Sequence, residues 1–514
     1  MKDVIVIGGG VAGLVAARAC ARLGLSVSII EAADAVGGPV AGHDVAGLHL
    51  DSGTESFAVR GGTVAAFIEE LGLTDEIVAP NPAGAWLHLP ALGAKGKKGT
   101  NGSGAVSVPL PKAGVLGIPG SPLADDVRRV VGWSGSLRAY VDRLMPVLTI
   151  GREHSLGDLV AKRMGRRVLE RLVEPVASGV YTTSARDLEI DVVAPGLNRA
   201  LTTAGSLSGA VSALRDSAPA GSAIGGLRGG MSRLPAALVA DLEHFGATIE
   251  TGRTASALRR SGTTEQPSWV VTLNPRADRN GADLNSAGSD DDTAAGTAVS
   301  APADDTARAA RFVIVATQGA QALRLLAPLG DAHDALSELE WPGPTAVTLA
   351  TLVVDAPTLD AHPRGTGALV GVDTPGVTAK ALTHVTAKWS WVAQAAGVGR
   401  HVVRLSYGRA GEPSPTDDLS DNELQALALR DASSILGVEL TGQMLRGFAR
   451  TEWRDALSPA TLGAPERVAK VREVLADTPG IDVTGAWLAG TGLASVIPDA
   501  LAAAGRIRQA SLGL

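Results

Sequence analysis

The sequence contains little cysteine and few aromatic residues. Its single cysteine, Cys20, excludes an intrachain disulfide and a metal cluster built from thiolates. Aromatic residues make up 3% of the 514 residues, so we expect interiors packed mainly by Val, Leu, Ile and Ala. Cys20 falls inside a predicted helix, where a small buried thiol is the expected role.

Long apolar runs and an excess of positive charge are also missing. No window approaches the roughly 18 uncharged apolar residues of a membrane span, and Met1-Lys2-Asp3 leads directly into a predicted strand without the features of a signal peptide. The formal net charge of -7 gives no general attraction to nucleic acid. The histidines lack metal-ligand spacing, so no metal site is predicted. We expect a cytoplasmic protein that binds no nucleic acid, and peripheral membrane contact stays open.

The chain does contain ample apolar material. Hydrophobic residues form 45% of it and charged residues 19%, which is typical of globular proteins. Its length exceeds what one compact core accommodates, so two or three subdomains are expected. Strand–helix alternation at both ends of the chain predicts a cofactor domain assembled from separated segments.

The first thirty residues have the pattern of a βαβ unit. The apolar run 4–7 predicts a buried parallel strand, an Ala-rich helix is expected over about 11–23, and 26–30 predicts a second strand. Later strands are expected at 312–317, 346–354 and 402–407. Helices are expected at 234–245 and 419–436, and Ser420 with Glu423 predicts a capping box at the start of the second.

Gly8-x-Gly10-x-x-Gly13 lies between the first strand and the helix, the context in which this pattern indicates a dinucleotide site. The glycines permit a tight turn, close approach of a diphosphate, and close packing of helix on strand. Glu31, at the end of the second strand, is placed to accept hydrogen bonds from a ribose and disfavours a 2′-phosphate. The candidate cofactor residues in this unit are Gly8, Gly9, Gly10, Val11, Ala12, Gly13, Glu31 and Ala32.

Two further segments resemble FAD enzymes of the amine-oxidase superfamily. Ala35-Val36-Gly37-Gly38 is similar to the second glycine pair of that superfamily, with Pro39 where an Arg is common. The segment 51–56 resembles the stretch that passes beside the flavin. The resemblance implies FAD as cofactor and adds candidate contacts at Gly37, Gly38, Gly53, Thr54, Glu55, Ser56 and Ala255.

Four more segments resemble the protoporphyrinogen and coproporphyrinogen III oxidase family, in particular its bacterial coproporphyrinogen III oxidase type. They are 168–181, 226–235, 453–459, and 489–492 followed by Val496-Ile497-Pro498-Asp499. Ala500 replaces a common cysteine of the C-terminal loop, and Ala-Thr follows Pro459 where Gln-Tyr is usual. The last helix would direct its N–H groups at the flavin. The candidate contacts that this resemblance adds are Trp453, Gly490, Val496, Ile497 and Pro498.

The resemblance implies an α/β fold: a Rossmann-like FAD-binding domain of the amine-oxidase/PHBH type, a mixed-sheet substrate domain and a helical subdomain. In chain order we expect a first FAD-binding segment (1–80), a helical substrate-entry subdomain (81–225), a second FAD-binding segment (226–335), the substrate-domain sheet (336–447) and a third FAD-binding segment (448–514). The low-complexity stretch 276–310 is interpreted as a disordered insertion.

For the reaction, the resemblance implies removal of hydride from a porphyrinogen by FAD, with oxygen as acceptor, in heme biosynthesis. Coproporphyrinogen III is favoured over protoporphyrinogen IX, and transient contact with a downstream heme-pathway enzyme stays open. No catalytic side chain is predicted. Candidate propionate partners are Lys112, Arg138, Arg143 and Arg167.

Arginines at 163, 166, 167 and 171 are otherwise expected on a solvated helix face, and Leu137, Tyr140, Val141 and Leu144 are expected on one buried face.

Three alternatives share some of these features. A flavin amine oxidase has the same early motifs, but only three tyrosines are present to form an amine cage. A phytoene-desaturase-like enzyme fits the later segments less well. An escort protein of prenylated GTPases would keep the fold without FAD, and the intact glycines with Glu31 disfavour it.

Overall fold

The computed structural model describes residues 1–59, 61–92, 104–112, 114–146, 152–216, 224–262, 268–274, 306–330, 334–343, 346–454 and 460–513. Its strands are β1 (Lys2–Ile7), β2 (Val27–Ile30), β3 (Gly42–Val45), β4 (Leu48–Asp51), β5 (Phe57–Ala58), β6 (Ile77–Val78), β7 (Trp86–Pro90), β8 (Ala105–Pro109), β9 (Gly114–Val115), β10 (Ile118–Pro119), β11 (Ile224–Leu227), β12 (Thr248–Glu250), β13 (Ala255–Arg260), β14 (Trp269–Leu273), β15 (Ala307–Val315), β16 (Ala346–Asp355), β17 (Gly367–Val370), β18 (Ala381–His384), β19 (Arg400–Tyr407), β20 (Leu445–Arg454) and β21 (Ile481–Val483).

The α-helices are α1 (Val11–Ala21), α2 (Thr63–Glu70), α3 (Asp125–Tyr140), α4 (Leu156–Met164), α5 (Arg166–Val168), α6 (Glu174–Tyr181), α7 (Ile190–Val193), α8 (Leu197–Ala204), α9 (Leu207–Asp216), α10 (Arg233–His244), α11 (Gly319–Leu326), α12 (Asp334–Ser337), α13 (Val385–Lys388), α14 (Ser390–Ala396), α15 (Asp421–Leu436), α16 (Ala464–Ala476), α17 (Ala486–Ala489) and α18 (Leu493–Leu512). One turn of π-helix, Leu169–Val173, joins α5 to α6.

The first sheet collects strands from the beginning, middle and end of the chain. Its parallel strands lie in the order β12-β2-β1-β15-β21, and β13 with β14 forms an antiparallel extension on the first half of β15. In register, Ile7 lies between Ile30 of β2 and Val315 of β15. Helices cover both faces, so the apolar strand runs are fully buried, as parallel sheets require.

The second sheet has the order β20-β16-β19-β18-β17-β7-β8 and is antiparallel except where β17 meets β7. Helix α15 covers one face, and its capping box at Ser420 and Glu423 confirms that prediction. The other face contacts the β3–β4 hairpin together with α13 and α14. This contact is where the second sheet meets the segment that follows β4.

Helices α3 to α9 pack together around a third apolar core. A buried ion pair lies inside it: Arg163 Nε donates to Asp142 at 2.6 Å, and the Asp142 carboxylate also accepts from the backbone N–H groups of Leu207 and Ser208. The solvated face expected for the arginine run is therefore wrong at Arg163. It is also wrong at Arg171, whose guanidinium donates to the carbonyls of Val130 and Pro90.

The prediction for one side of α3 is also wrong. The structure leaves Leu137, Tyr140, Val141 and Leu144 exposed, with Leu144 78% accessible, although the sequence pattern predicts a buried face. A kink at Gly132, where φ is 73°, divides α3. The helix instead packs through Val127, Val130, Val131 and Ala139. Among the described residues, no helix is long and apolar enough to span a membrane.

Three predicted segments also need correction. Strands β7 and β8, placed by sequence in the helical subdomain, pair into the second sheet, and so does β20. The predicted insertion 276–310 overlaps β15 at its end, since Ala307–Ala310 pair with β14; its residues 276–305 lie outside the described residues. The remaining domain boundaries stay predictions.

Candidate flavin site

The glycine turn between β1 and α1 has the geometry that its sequence predicts. Gly8 has φ 110°, and a Cβ there would lie 2.5 Å from the carbonyl oxygen of Ala316. A Cβ on Gly13 would overlap the carbonyl oxygen of Gly8. At Gly10, by contrast, a Cβ would meet no atom within 4 Å. The first and third glycines are thus required by packing, while the second faces open space at the start of the helix.

The start of α1 offers hydrogen-bond donors to an anion. Its N-cap is Gly10, which makes no side-chain capping bond. The first N–H groups of a helix have no partner within the helix, and the helix dipole favours negative charge there. A diphosphate is the ligand that such a glycine-lined turn binds.

Glu31 lies beside this turn at the end of β2. One carboxylate oxygen accepts from the Gly9 N–H at 2.6 Å, and the other accepts from the Ala33 N–H at 2.7 Å. A carboxylate retains lone pairs after two such bonds, so it can still accept from ribose hydroxyls. The backbone of Arg253 donates to the Glu31 carbonyl, which brings the chain leading to Ala255 alongside this position.

The second glycine pair lies over the first turn. The N–H of Gly37 donates to the carbonyl of Gly9 at 2.8 Å, and both Gly37 and Gly38 have positive φ. Further along, Gly53 approaches Pro39 so closely that a Cβ would overlap the Pro39 carbonyl oxygen. The predicted second flavin segment therefore joins the nucleotide turn to residues 51–56.

The two ends of the chain meet at this site. Helix α18 packs against α1 in one core, with Ile497 and Val496 buried among residues that include Leu14 and Val15. Since these side chains fill the core, only their backbone is left to face a cofactor. Pro498 is exposed on the same helix. The N-cap Gly492 makes no side-chain capping bond, and a Cβ on Gly490 would meet no atom within 4 Å.

The segment 51–56 is held against the second sheet by hydrogen bonds and ion pairs. Trp453 of β20 donates from its indole N–H to the Ser52 carbonyl at 3.1 Å. Arg404 of β19 contacts the Glu55 carboxylate at 2.6 Å and donates to the Asp51 carbonyl at 2.9 Å. The residues 455–459 that follow Trp453 in the sequence motif lie outside the described residues.

Glu55 is the centre of a buried charge network. Lys388 contacts the second carboxylate oxygen of Glu55 at 3.0 Å, so two cations compensate one carboxylate. Burial alone would raise the pKa of this carboxyl, but the charges of Arg404 and Lys388 outweigh it and hold the pKa below its usual value. The ionised Glu55 thereby ties the segment beside the predicted flavin to strand β19 and to helix α13.

Asp51 shows the opposite electrostatic behaviour. Burial, and then the charge of nearby Glu55, raises its pKa to about 6. Its carboxylate accepts from the N–H of Met231 at 2.7 Å, which ties β4 to the loop after β11. Asp51, Glu55, Thr351, Trp389 and Arg404 line a small cavity at this junction.

These features fit FAD. The diphosphate has a glycine turn with free space at Gly10, the ribose has Glu31, and the far end of the cofactor has the uncapped start of α18. A Cβ at position 10, 490 or 492 would meet no protein atom within 4 Å, so the backbone at these three glycines is open to a ligand. The individual contacts predicted from sequence stay predictions.

The four predicted propionate partners are not brought together with this site. Arg138 donates to the carbonyls of Arg163 and Lys162, and so caps the end of α4. Arg143 lies near Ser208 and over the ring of Tyr140, and Arg167 donates to Ser134. Lys112 is exposed. Their role as substrate ligands therefore stays a prediction, and three of them already have a structural contact.

Sequence reasoning missed Arg404 and Lys388. Arg404 lies on β19 of the second sheet, and Lys388 is the last residue of α13. Each is more than three hundred residues from Glu55 in the sequence. Val402, Arg404 and Ser406 share one face of β19, and the apolar Val402 is the signal that this face packs against protein. Nothing local to either residue indicates its partner.

Comparison with known proteins identifies the family. The pattern of flavin containing amine oxidoreductases matches residues 11–508, and the chain therefore belongs to this family. It is an FAD-dependent oxidoreductase. Among the described residues, no cluster of His, Cys, Asp or Glu could hold a metal ion.

Individual relatives and solved structures show which members of the family the chain resembles. The chain is 25% identical to coproporphyrinogen III oxidase of Bacillus subtilis (strain 168), over 98% of this chain and 97% of that protein. It is 28% identical to coproporphyrinogen III oxidase of Mycobacterium tuberculosis (strain H37Rv), over 98% and 96%. A structure from Exiguobacterium sp. 255-15, provisionally described as a protoporphyrinogen oxidase, superposes with TM-score 0.75 at 23% identity, covering 100% and 99% of the two chains.

The fold is also that of amine oxidases. Cyclohexylamine oxidase from Brevibacterium oxydans IH-35A superposes with TM-score 0.60 at 13% identity, covering both chains fully. The predicted fold class, an FAD-binding α/β fold of the amine-oxidase type, is confirmed.

Proposed function

We propose that this enzyme oxidises coproporphyrinogen III to coproporphyrin III, with molecular oxygen as electron acceptor, in heme biosynthesis. The observation that carries the proposal is similarity along nearly the whole chain to proteins named coproporphyrinogen III oxidase, from Bacillus and from Mycobacterium. The nucleotide turn and the returning C-terminal helix supply the cofactor site that such a reaction needs.

The reaction removes six electrons and six hydrogens from the macrocycle, in three two-electron rounds that each reduce one oxygen molecule to hydrogen peroxide. Bound FAD would accept hydride from the substrate and return the electrons to oxygen. The chain's own contribution is to bind and position. Gly8, Gly10 and Gly13 would hold the diphosphate, and Glu31 would accept from the ribose.

The rest of the site orients the reacting end of the cofactor. The first N–H groups of α18 would face the flavin ring, where they favour the negative charge that builds on reduction. The Glu55 network holds segment 51–56 rigidly against the second sheet through Arg404 and Lys388. No side chain needs to act as a nucleophile, because the cofactor supplies the redox chemistry.

The test is steady-state oxidation of anaerobically prepared coproporphyrinogen III and protoporphyrinogen IX, followed by porphyrin fluorescence and oxygen uptake. We expect a higher kcat/KM for coproporphyrinogen III. A higher kcat/KM for protoporphyrinogen IX would assign the enzyme to that substrate. Oxidation of a primary amine or polyamine, with neither porphyrinogen consumed, would overturn the proposal.

An aromatic amine cage has little support in this chain. Tyr407 is buried under α15 and Tyr140 is exposed on α3, so neither lies free to face a substrate above the flavin. Tyr181, at the end of α6, is the remaining tyrosine. The amine-oxidase alternative is therefore disfavoured.

We also propose peripheral contact with an anionic membrane through α3 and the turn after it. An apolar stripe is exposed there at helical spacing: Trp133, Leu137, Tyr140, Val141 and Leu144. Arg143 lies over the ring of Tyr140 and adds positive charge in a chain of negative net charge, while Arg128, which pairs with Asp125, lies over the ring of Trp133. Exposed apolar surface flanked by basic residues favours anionic lipid headgroups.

Vesicle co-sedimentation tests this contact. We expect binding to phosphatidylglycerol vesicles, weaker binding to phosphatidylcholine vesicles, and loss of binding in Leu137→Asp/Leu144→Asp. Leu512→Asp, at the exposed end of α18, is the matched control. Equal binding of all variants would refute the contact. Transient contact with a downstream heme-pathway enzyme stays a separate prediction.

A further inference from the structure

A buried lysine lies in the second sheet without a negative partner among the described residues. Lys380, immediately before β18, is 1% exposed, and its ammonium donates to the hydroxyl of Thr182 at 2.6 Å. Thr182 is the C-cap of α6 and is itself buried. A buried ammonium is strongly disfavoured unless an anion compensates it, so a lysine held here by one hydroxyl is unusual.

A second cation lies beside it. Arg409 lies just beyond the end of β19, next to Ala410, whose N–H donates to the Thr182 carbonyl at 2.7 Å. Burial, and then the charge of Arg409, lowers the pKa of Lys380 to about 7. The Nε atom of Arg409 is buried, and no hydrogen-bond partner for it is found in the described stretches of the chain. Lys380 and Arg409 are thus two neighbouring cations with unused hydrogen-bond donors. Among the described residues, no carboxylate pairs with either of them.

The pair lies where helix α6 meets the second sheet. A Cβ on Gly179 of α6 would lie 2.6 Å from a methyl of Leu369 on β17, so helix and sheet are in close contact. Lys380 belongs to the same edge, since its carbonyl accepts from the N–H of Val370. The buried hydroxyl of Ser178 also finds no partner among the described residues, and it lies one helical turn before Thr182.

The same end of the sheet reaches the flavin segment. The strand register connects Trp453 to Lys380. Trp453 of β20 pairs with Val347 of β16, and the neighbouring Thr348 pairs with Tyr407 of β19. Ser406, next to Tyr407, pairs with Ala381 of β18, which follows Lys380. Three strand spacings of about 4.8 Å separate β20 from β18, or roughly 14 Å. Trp453 contacts Ser52 beside the predicted flavin position. In the plane of the sheet, Lys380 therefore lies about three strands from Trp453, the residue that contacts the predicted flavin segment.

We propose that Lys380 and Arg409 bind a propionate carboxylate of the porphyrinogen, with Thr182 orienting the ammonium. This rests on the proposed function and identifies how its substrate is recognised. The carboxylate supplies the counter-charge that the described protein lacks, and the guanidinium and ammonium supply charge-assisted hydrogen bonds to its two oxygens. Since coproporphyrinogen III carries four propionates, it has carboxylates to spare for such a site.

Lys380→Met tests the assignment, because it keeps the length of the side chain and removes the charge. Truncating a charged partner of a buried carboxylate is expected to raise KM for coproporphyrinogen III about 10- to 100-fold, with kcat changed less than about twofold. Arg409→Gln should raise KM in the same direction, and Lys380→Arg should restore much of the affinity. Lys470→Met, which removes a surface lysine of α16, is the matched control and should leave KM unchanged.

Two readouts separate recognition from a structural role. Coproporphyrin III and its tetramethyl ester are titrated in the same buffer: wild type should prefer the free acid, and Lys380→Met should lose about tenfold or more of that preference. The melting temperature should stay equal or rise in Lys380→Met, because an uncompensated buried charge is removed. A fall in melting temperature would mark the lysine as structural and overturn the assignment.

These experiments distinguish a wrong carboxylate site from a wrong proposed function. If wild type oxidises coproporphyrinogen III and the variants keep its KM and its preference for the free acid, only the carboxylate site is wrong. If wild type oxidises no porphyrinogen, the proposed function is wrong and the carboxylate site falls with it.

Discussion

Loss of Arg404 should destabilise the junction between the flavin segment and the second sheet. Arg404→Met keeps an unbranched side chain while removing one of the two cations at Glu55 and the donor to the Asp51 carbonyl. Breaking a buried ion pair by removing one partner typically costs about 3–5 kcal/mol. Lys388 stays in contact with Glu55, so we expect the lower end of that range, about 3 kcal/mol.

The assay is chemical or thermal unfolding of the FAD-loaded protein, with flavin release followed by its fluorescence. Arg446→Met is the control: Arg446 pairs with Asp355 on an exposed face of the same sheet, and a surface pair contributes about 0–1 kcal/mol. The double variant Glu55→Gln/Arg404→Met should be less destabilised than the two single effects added together, because the Glu55–Arg404 interaction can be lost only once. Additive effects, or an Arg404→Met no worse than Arg446→Met, would refute the network.

Three further predictions concern the cofactor site and pH. Gly10→Val should fold as apoprotein with an unchanged melting temperature but should fail to bind FAD. The valine side chain would enter the open space that the diphosphate needs. Normal flavin absorbance in the purified variant would contradict this prediction. Gly13→Ala should instead reduce soluble yield, since its Cβ overlaps the Gly8 carbonyl, whereas Gly505→Ala, where space is open, should be neutral. Burial lowers the pKa of His384 from 6.5 to about 3. Between these two pH values the unfolded chain binds the proton more readily than the folded protein does. The folded protein therefore has its full stability above pH 6.5 and loses stability as the pH falls toward 3. At pH 5 the loss is about 2 kcal/mol. The free energies of unfolding of wild type and His384→Gln are compared at pH 7 and pH 5; a difference that does not change with pH would exclude the effect.

Sequence patterns were sufficient where one local segment determines the geometry. The turn Gly8–Gly13 and the carboxylate of Glu31 lie within one βαβ unit, so spacing alone indicates their arrangement. The capping box at Ser420 is local in the same way. The meeting of α18 with α1 is a long-range contact, and it was expected only because a family resemblance supplied it.

Periodicity did not determine which helix face is buried. The spacing from Leu137 to Leu144 places these residues on one side of a helix, but the same spacing fits a core or an exposed docking surface. The choice depends on where the kink at Gly132 directs the helix. Arg163 and Arg171 show the reverse case, in which charged residues expected in solvent satisfy buried acceptors.

The ionic contacts of the site could not be predicted because their partners are far apart in the chain. Glu55 meets Lys388 across 333 residues, and Lys380 meets Thr182 across 198. A lysine in a strand pattern is more often at the surface than buried. Only the packing of α6 and β4 on the second sheet gives these side chains their partners.

Anaerobic titration of the FAD-loaded enzyme with coproporphyrinogen III tests the central claim most directly. We expect the oxidised flavin absorbance to bleach as coproporphyrin fluorescence appears, and to return when oxygen is admitted. Flavin that stays oxidised with coproporphyrinogen III but bleaches with a primary amine would contradict the account.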